Sequence, residues 1–405
     1  MPARVVVTGI GLVTSIGKGR EEVWRNLLAG KSGISPVESF DTGRHAANLG
    51  GEIKNFSPDA GFRRLDPRSV GRASQLAVGA ARLALEDAGL ADDLARIPAH
   101  RLGVAMGTTS GEPGMVEDFD DLLMAGQLDL IGPEIATLYP SHVIAAHIAA
   151  EFGCGGPATM LPAACAAGNY AIGWSLDALR AGRADLMLAG GADAFSRITY
   201  TGFARLGAIA PELCQPFDKN RKGMVPGEGA AVLVLERLED ARSRGARIYA
   251  EVAGYGLSCD AHHMTAAHPE GDGAARAMRE ALRHAGLDAA AVAYVSAHGT
   301  GTPTNDRLET KAMKRVFGER RVPASSIKSM LGHTMGAASA IESAVCSLAV
   351  AENRVPPTIN FAEPDPDCDL DCVPNEAREM AVGVAMNNAY AFGGNNASVI
   401  FRQLA

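Results

Sequence analysis

The chain contains an internal repeat, in which the same order of strands, loops and helices occurs twice. This repeat constrains its fold more than any other feature. Residues 102–108 are predicted to form a strand that ends in a Gly-Thr-Thr-Ser-Gly loop, and residues 291–297 a strand that ends in His-Gly-Thr-Gly-Thr. A strand–helix junction follows in each half, at Cys165 and at His333. Alternating strands and helices are typical of layered α/β folds. The repeat therefore predicts two similar α/β units with Cys165 and His333 at equivalent helix starts.

The two predicted units span residues 1–245 and 246–405. Hydrophobic periodicity and turn residues predict the other elements. These are a strand from residue 4 into a glycine loop at 17, helices 20–30 and 71–90, a helical region 112–150, strands 184–191, 230–236 and 248–255, helix 273–286, a helix capped by Asp306 and ending at Phe317, strand 325–329, helix 337–352 and a hairpin over 382–401. Sites in such folds lie beyond the carboxyl ends of strands, so the loops of the two units should converge.

Composition excludes several classes of function. The net charge of −8 argues against nucleic acid as a partner. The seven cysteines are scattered and odd in number, which favours a reduced, cytoplasmic protein. We find no 18-residue apolar run and no signal peptide, so the sequence predicts no membrane segment.

The stretch around Cys165 is the candidate for chemistry. Small residues precede this cysteine, and a helix almost free of charge follows it and ends near Gly182. Unpaired amides and the positive end of a helix dipole favour a thiolate there, although a cysteine that only fills core space is the alternative. His298 and His333 at other strand ends favour the chemical interpretation. A thiolate can hold an acyl group as a thioester, and two imidazole N–H groups can stabilise an enolate oxygen.

Two other site types fit poorly. The start of the chain resembles a dinucleotide fingerprint at Gly9 and Gly11, but Thr14 stands where the third glycine is needed. Three histidines invite a metal interpretation, but their spacing matches no usual zinc pattern. They are His262, His263 and His268. We therefore predict no bound metal.

The motifs together resemble the elongating β-ketoacyl-acyl-carrier-protein synthases of the thiolase superfamily, over nearly the whole chain. The matching stretches are residues 5–11, Ala163-Ala164-Cys165-Ala166, 216–229, Ser296-Ala297-His298-Gly299-Thr300-Gly301-Thr302, 328–333 and Phe392-Gly393-Gly394-Asn395-Asn396. This resemblance implies the thiolase fold, two duplicated α/β halves in a five-layered αβαβα arrangement. It also implies decarboxylative condensation of an acyl thioester with malonyl-acyl-carrier-protein.

The resemblance implies a role for each matching residue. Cys165 would take the acyl chain, His298 and His333 would bind the malonyl thioester and stabilise the carbanion, and Lys328 and Glu342 would support them or form a plain buried pair. Phe392 would gate the acyl pocket and supply an oxyanion N–H. Substrate contacts would come from Thr300, Thr302, Thr265, Ser110, Phe203, Tyr390 and Gly393. The substrates ride on the phosphopantetheine arm of acyl carrier protein, with no cofactor bound by the enzyme.

Carrier-protein docking would use a basic patch, for which the candidates are Arg63, Arg64, Arg68, Arg72 and Arg205. An ordinary solvated surface is the alternative for these arginines. Residues 117–130, which are often basic in fatty-acid members, carry no Lys or Arg here. The family also implies a dimer, either with a second copy or with a chain-length-factor-like homologue that lacks the cysteine.

The sequence departs from the usual family pattern near the nucleophile. Ala164 and Asn395 each stand where threonine is common, Asn388-Ala389-Tyr390 replaces Ser-Phe-Gly, and Ser110 replaces a bulkier apolar residue. These departures favour a ketosynthase of a type II polyketide or polyene pathway over a housekeeping fatty-acid enzyme. A thiolase would need a second cysteine in the glycine turn, an initiating synthase would have Asn in place of His333, and a non-catalytic subunit would lack Cys165.

Overall fold

The computed structural model describes residues 3–404, so the outermost residues of the two predicted units lie outside the described range. Its strands are β1 (Val5–Thr14), β2 (Gly17–Lys18), β3 (Ser35–Pro36), β4 (Leu49–Gly50), β5 (Leu102–Gly107), β6 (Ala158–Leu161), β7 (Leu186–Asp193), β8 (Gly229–Arg237), β9 (Ala250–Cys259), β10 (Tyr294–Ser296), β11 (Ala324–Ser325), β12 (Arg354–Val355), β13 (Arg378–Glu379), β14 (Val384–Tyr390) and β15 (Asn395–Arg402). Its helices are α1 (Gly19–Leu28), α2 (Arg72–Asp87), α3 (Pro113–Met124), α4 (Glu134–Leu138), α5 (Val143–Phe152), α6 (Ala167–Arg180), α7 (Arg197–Arg205), α8 (Leu238–Ser243), α9 (Asp272–Ala285), α10 (Pro303–Phe317), α11 (Lys328–Leu331) and α12 (Ala338–Glu352).

The main sheet repeats one strand order in its two halves. The order is β6-β5-β7-β8-β1 in the first half and β11-β10-β14-β15-β9 in the second. In each half the first three strands run parallel and the last two pair antiparallel. The halves meet where β1 pairs with β9, with Val6 opposite Glu251. The repeated order gives the predicted duplication a structural basis, while the boundary at residue 245 stays a prediction.

Three helical layers enclose the two half-sheets. A central apolar cluster joins α6 and α12 to both half-sheets, with Ile172, Ile341 and Val399 among its members. A second cluster packs α2 and α5 against the outer face of the first half-sheet. A third packs α9 and α10 against the outer face of the second. The arrangement is the five-layered αβαβα fold expected from the sequence.

The central helix α12 is mostly apolar and lies inside the protein, and its buried polar residues are paired there. Every residue from Ala338 to Val350 is buried. Among the described residues, Met335–Glu352 is the one helical stretch that is long and apolar enough to cross a membrane, and the sequence analysis missed it. Within the fold, 89% of this stretch is buried.

Three local predictions were wrong in detail. The helical region 112–150 is divided into α3, α4 and α5, with Gly126 at a positive φ of 72° ending the first. The predicted strand 325–329 stops at Ser325, and a helical turn begins at Lys328. Asp306 does not cap α10, because the helix begins earlier at Pro303, a residue suited to a first helical position. Asp306 instead lies buried in its first turn and accepts the amide N–H of Phe217 at 2.8 Å.

The equivalence of Cys165 and His333 was also wrong, by three residues. Ala164 at 48° and Met335 at 53° are among the non-glycine residues that adopt positive φ. Each begins a 3₁₀ turn that leads into α6 or α12. The matching turns therefore align Cys165 with Gly336, and His333 precedes that position.

Candidate active site

Cys165 lies at the start of the central helix α6, between the two half-sheets. It is 8% exposed. Small residues allow this placement, because a Cβ on Gly168 would lie 2.4 Å from the amide nitrogen of Ala340 in α12. The starts of the two central helices therefore cross in direct contact, and no larger residue fits between them.

Hydrogen bonds fix that crossing. The amide of Asn169 donates to the Ser339 hydroxyl at 3.1 Å. The side chain of Asn387 in β14 donates to Asn169 Oδ1 at 2.9 Å and to the Ser339 carbonyl at 2.7 Å. This buried polar network holds α6, α12 and β14 in one arrangement around the cysteine.

The thiol of Cys165 is protonated in the free protein. Burial raises its pKa to about 12, while the charge of Lys328 opposes that rise. This result differs from the thiolate expected at a helix start. Burial gives Cys154 and Cys214 a pKa of about 12 as well. Position therefore distinguishes Cys165 from the other thiols, and acidity does not.

His333 is held by its own backbone and by the segment before β8. Its amide donates to the Val225 carbonyl at 2.6 Å, and its carbonyl accepts from the Gly227 amide at 2.9 Å. The amide of Met335 donates to His333 Nδ1 at 3.2 Å. Because Nδ1 is the acceptor, the proton of the neutral ring lies on Nε2.

His298 follows the end of β10 and faces His333. The ring centroids are 5.5 Å apart and the planes cross at 84°. Buried Glu309 accepts the amides of His298 and Gly299, both at 2.8 Å. Lys328 Nζ lies 3.5 Å from His298 Nδ1, which places a donor on this nitrogen and leaves Nε2 as the protonated position.

Lys328 and Glu342 form a buried ion pair beside the histidines. Burial raises the pKa of Glu342 to about 7, and Lys328 opposes the rise. Burial, and after it the charge of Lys328, holds the pKa of both His298 and His333 well below the ordinary value. Both imidazoles are therefore neutral and can present an Nε2–H to one acceptor atom.

The turn Phe392–Gly394 follows Ala391, which packs against the cluster that contains Ala166, next to Cys165, so the turn borders the candidate site. Phe392 is 42% exposed, and its ring lies 5.8 Å from that of Phe203 in α7. Gly393 has φ 80°, in the left-handed region that favours glycine. Its amide donates to the Met264 carbonyl at 2.8 Å, so Gly393 N–H is occupied. The amide of Phe392 is then the candidate oxyanion donor on this turn.

Asp193 holds the loop after β5 against the turn before α12 and was missed by the sequence analysis. Its carboxylate accepts the amides of Thr109 and Ser110, both at 2.9 Å, and that of Gly336 at 2.7 Å. The Ser110 hydroxyl lies 3.3 Å from that of Thr199 in α7. An acid at the end of the otherwise apolar strand β7 was the available signal for Asp193, and Glu309 in α10 carried no comparable signal.

Comparison with known proteins places this geometry in a family. Models described as "Beta-ketoacyl synthase, N-terminal domain" and "Beta-ketoacyl synthase, C-terminal domain" match residues 3–241 and 249–362. The chain belongs to the β-ketoacyl synthase family. It is a condensing acyltransferase, an elongating ketosynthase of fatty-acid or polyketide synthesis.

Relatives of this ketosynthase span its full length. Nodulation protein E of Rhizobium sp. (strain N33) is 42% identical over 100% of both chains. The 3-oxoacyl-[acyl-carrier-protein] synthase 2 of Synechocystis sp. is 39% identical over 99% of this chain and 98% of its own. The solved structure of the ishigamide ketosynthase/chain length factor is 44% identical with a TM-score of 0.96, over 100% of both chains.

The predicted arm-binding threonines of the ketosynthase differ in exposure. The hydroxyls of Thr300 and Thr302 lie 2.8 Å apart in the loop after β10. Thr265 is exposed, and its amide donates to His263 Nδ1 at 3.1 Å. The rings of His262 and His268 pack at 5.3 Å. Across residues 3–404, no three His, Cys, Asp or Glu side chains converge to hold a metal ion.

The five candidate docking arginines of the ketosynthase do not share one environment. Arg72 binds the buried Glu228 at 3.0 Å, so it belongs to the interior network. Arg68 pairs with the neighbouring Asp66 at 2.8 Å. Arg63 and Arg64 both donate backbone amides to Glu151. Arg205 is exposed at the end of α7, two residues after Phe203, whose ring packs near that of Phe392.

Proposed function

We propose that Cys165 carries the growing acyl chain and that His298 and His333 generate the nucleophile that extends it. The observation that carries this proposal is the pair of neutral, buried imidazoles, 5.5 Å apart, whose Nδ1 atoms face the Met335 amide and the Lys328 ammonium. Two Nε2–H donors directed at one oxygen suit a developing enolate. The proposed reaction is decarboxylative Claisen condensation with a malonyl thioester.

In the first half-reaction, Cys165 Sγ attacks the carbonyl carbon of the acyl thioester on the carrier protein. A new C–S bond forms, the bond to the phosphopantetheine sulfur breaks, and the departing thiolate takes the proton that Cys165 loses. The helix start and Lys328 act on the thiolate as it forms. The amides of Cys165 and Phe392 would hold the tetrahedral oxyanion.

In the second half-reaction, the malonyl thioester oxygen accepts hydrogen bonds from His298 and His333. The bond to the carboxylate breaks, carbon dioxide leaves, and its electron pair forms the enolate. The enolate carbon attacks the acyl-Cys165 carbonyl, and collapse of the tetrahedral adduct expels the Cys165 thiolate, which takes a proton from solvent. The chain, longer by two carbons, leaves as a β-ketoacyl thioester. Neutral imidazoles suit this step because each Nε2–H can donate a hydrogen bond to the enolate oxygen while the ring keeps its proton.

The partner set follows from the same chemistry and from the neighbours. One neighbour, 34% identical with a TM-score of 0.91, is titled as a type II polyketide acyl-carrier protein in complex with its ketosynthase. Acyl carrier protein is the proposed donor of both substrates here, and Arg205 is placed to meet it beside Phe203. The cytoplasm is the proposed location, consistent with seven free thiols.

A second ketosynthase-fold subunit is the other proposed partner, either another copy or a chain-length-factor-like homologue. The region from α3 to α4 exposes large apolar side chains, with Met124 at 86%. These are Leu123, Met124, Leu128, Leu130 and Tyr139. Because residues 117–130 lack Lys and Arg, this surface suits a subunit interface better than the acidic carrier protein.

We further infer a specialised polyketide or polyene pathway. The hydroxyl of the small residue Ser110 lies 3.3 Å from that of Thr199. The proposed acyl pocket therefore has no bulky apolar side chain at position 110. The 44% identity to the ishigamide ketosynthase/chain length factor supports the same direction. A housekeeping fatty-acid role is the second candidate, because the Synechocystis synthase is 39% identical. A purely structural subunit is disfavoured by the presence of Cys165 with both histidines.

Reconstitution with acyl carrier protein tests the proposal. Intact-mass spectrometry would follow acyl transfer to Cys165, and release of carbon dioxide from malonyl carrier protein would report the second half-reaction. We expect His333→Ala to lose decarboxylation at least about 100-fold while still accepting the acyl chain, because one oxyanion-hole donor contributes about that much. In a competition assay, the wild-type enzyme would be offered carrier protein loaded with a saturated or a conjugated acyl chain of equal length. We expect it to prefer the conjugated chain.

Two results would contradict these statements separately. If His333→Ala lost acyl transfer and decarboxylation equally, the separate roles proposed for the cysteine and the histidines would be wrong. Exclusive use of saturated chains would overturn the polyketide or polyene pathway and leave the condensing chemistry intact. Thermal unfolding of each variant controls for misfolding.

A further inference from the structure

Tyr390 carries a hydroxyl with no protein partner in the interior of the site. The residue is 8% exposed, and its hydroxyl is buried without a hydrogen bond to any residue in the range 3–404. Its ring lies 5.7 Å from that of His298, at 68°. Buried tyrosine hydroxyls usually find a partner. The vacant hydrogen-bonding capacity next to a reacting group therefore points to a substrate atom.

The side of the strand on which Tyr390 lies separates it from the nucleophile. Neighbouring residues of a strand point to opposite faces. Ala389 packs with Ala166, the residue after Cys165. Tyr390 packs on the other face, in the cluster of the outer layer formed by α9 and α10. Tyr390 thus adjoins His298 on the face of β14 that points away from Ala166, a position that the sequence analysis, which grouped it only among the substrate contacts, did not specify.

The Tyr390 hydroxyl acts as a donor. Burial, and after it the nearby carboxylates of Glu309 and Asp260, raise the pKa of Tyr390 well above its ordinary value. Both carboxylates already accept other groups, Glu309 from the His298 amide at 2.8 Å and Asp260 from the Asn396 side chain at 2.9 Å. The phenol keeps its proton and has it available for an acceptor that arrives with the substrate.

We propose that the Tyr390 hydroxyl donates a hydrogen bond to the carboxylate of the malonyl group while His298 holds the thioester oxygen. This assignment rests on the proposed function and adds a recognition group for the extender unit. The contact exists before decarboxylation and weakens as the carboxylate leaves as carbon dioxide. Such a ground-state contact lowers KM without raising kcat. Tyr390 would then distinguish malonyl from acyl thioesters, which lack that carboxylate.

Tyr390→Phe removes the hydroxyl and keeps the ring against His298. We expect KM for malonyl carrier protein to rise about tenfold or more, because hydrogen bonds to charged groups have that worth, and kcat to change less than KM. Acylation of Cys165 by acyl carrier protein should keep its wild-type rate. Tyr249→Phe is the matched control, because its buried hydroxyl bonds Asp87 at 2.8 Å away from the residues described above as the site.

The two half-reactions distinguish the alternatives. An equal loss in acylation and extension would assign the hydroxyl to the phosphopantetheine arm common to both substrates, and would overturn the proposal. Unchanged kinetics, or a defect matched by Tyr249→Phe with the same loss of thermal stability, would reduce Tyr390 to packing. A wild type that neither accepts an acyl chain nor decarboxylates malonyl carrier protein would overturn the proposed function itself.

Discussion

The two central helices begin with the same backbone turn and use it for different purposes. Ala164 and Met335 adopt nearly the same positive φ, and the next residue is Cys165 in one half and Gly336 in the other. Cys165 places a thiol at its helix start. Gly336 places only an amide there, which donates to Asp193 at 2.7 Å and so joins the second helix to the loop after β5. One copy of the turn carries the proposed nucleophile, and the other holds the loop after β5.

This difference explains how two similar half-sheets can carry one proposed reaction site instead of two. The second half contributes His298, His333, Lys328 and Glu342 from loops and short turns around its helix start, whereas the first contributes the cysteine. The groups meet because both helices lie in the central layer and begin at the same end of the two half-sheets. An asymmetric site therefore arises from a nearly symmetric backbone.

The strongest test of the comparison replaces each of the two equivalent residues, Cys165 and Gly336, with alanine. Cys165→Ala should lose acyl transfer by about 1,000-fold or more, since the covalent intermediate cannot form, while the free energy of unfolding stays within about 1 kcal/mol. Gly336→Ala should cost about 1–3 kcal/mol through overpacking, because its Cβ would lie 2.6 Å from the backbone of Thr108 and Thr109.

Acyl-enzyme formation by mass spectrometry and urea unfolding measure the two effects. Comparable loss of stability in Cys165→Ala and Gly336→Ala would mean that both turns serve packing alone. Cys154→Ala is the control for the chemistry, because that thiol follows α5 and packs in the outer layer of the first half-sheet. It should retain acyl transfer.

The sequence analysis predicted α/β layering and most strands because their periodicity is local, whereas the five-layered arrangement followed from the family resemblance. The roles of the cysteine and both histidines stay predictions. The sequence analysis did not predict the register of the two turns. Ala, Gly, Ser and Thr fill both junctions, and such residues do not identify which one begins a helix. The sequence did not predict the roles of Asp193 and Glu309 either. Each carboxylate binds amides of a loop that only the tertiary fold brings near it, and no local sequence pattern shows that an acid has this role.

The second test compares the carboxylates that hold the two equivalent loops. Asp193 holds Thr109 and Ser110 after β5, and Glu309 holds His298 and Gly299 after β10. Burial raises the pKa of Asp193 to about 6 and that of Glu309 to about 7. Each folded pKa lies above its unfolded value, so the stabilising contribution is complete below the unfolded pKa and is lost as pH rises through 6 to 7.

Glu309→Gln should remove up to about 3 kcal/mol of this pH dependence. Urea unfolding between pH 5 and pH 8 measures it, and Asp193→Asn should flatten the profile at a slightly lower pH. Asp185→Asn is the control, because arginine hydrogen bonds and charges lower the pKa of Asp185 to about 2, outside this window. A profile in Glu309→Gln with the wild-type slope would show that the carboxyl does not change its protonation on unfolding in this range.

The smallest effect, that of Ala164→Gly, tests whether the turn before α6 is strained, and Met335→Ala measures instead the side-chain packing at the other copy of the turn. A non-glycine residue at φ near 50° costs about 1–2 kcal/mol, and glycine removes that cost but adds about 0.5–1 kcal/mol of unfolded-chain entropy. Ala164→Gly should therefore change the free energy of unfolding by less than about 1 kcal/mol and leave acyl transfer intact. Met335→Ala keeps the φ but deletes a buried side chain, and should cost about 2–5 kcal/mol. A large loss of acyl transfer in Ala164→Gly would show that the methyl group of Ala164, and not only its backbone, positions the sulfur.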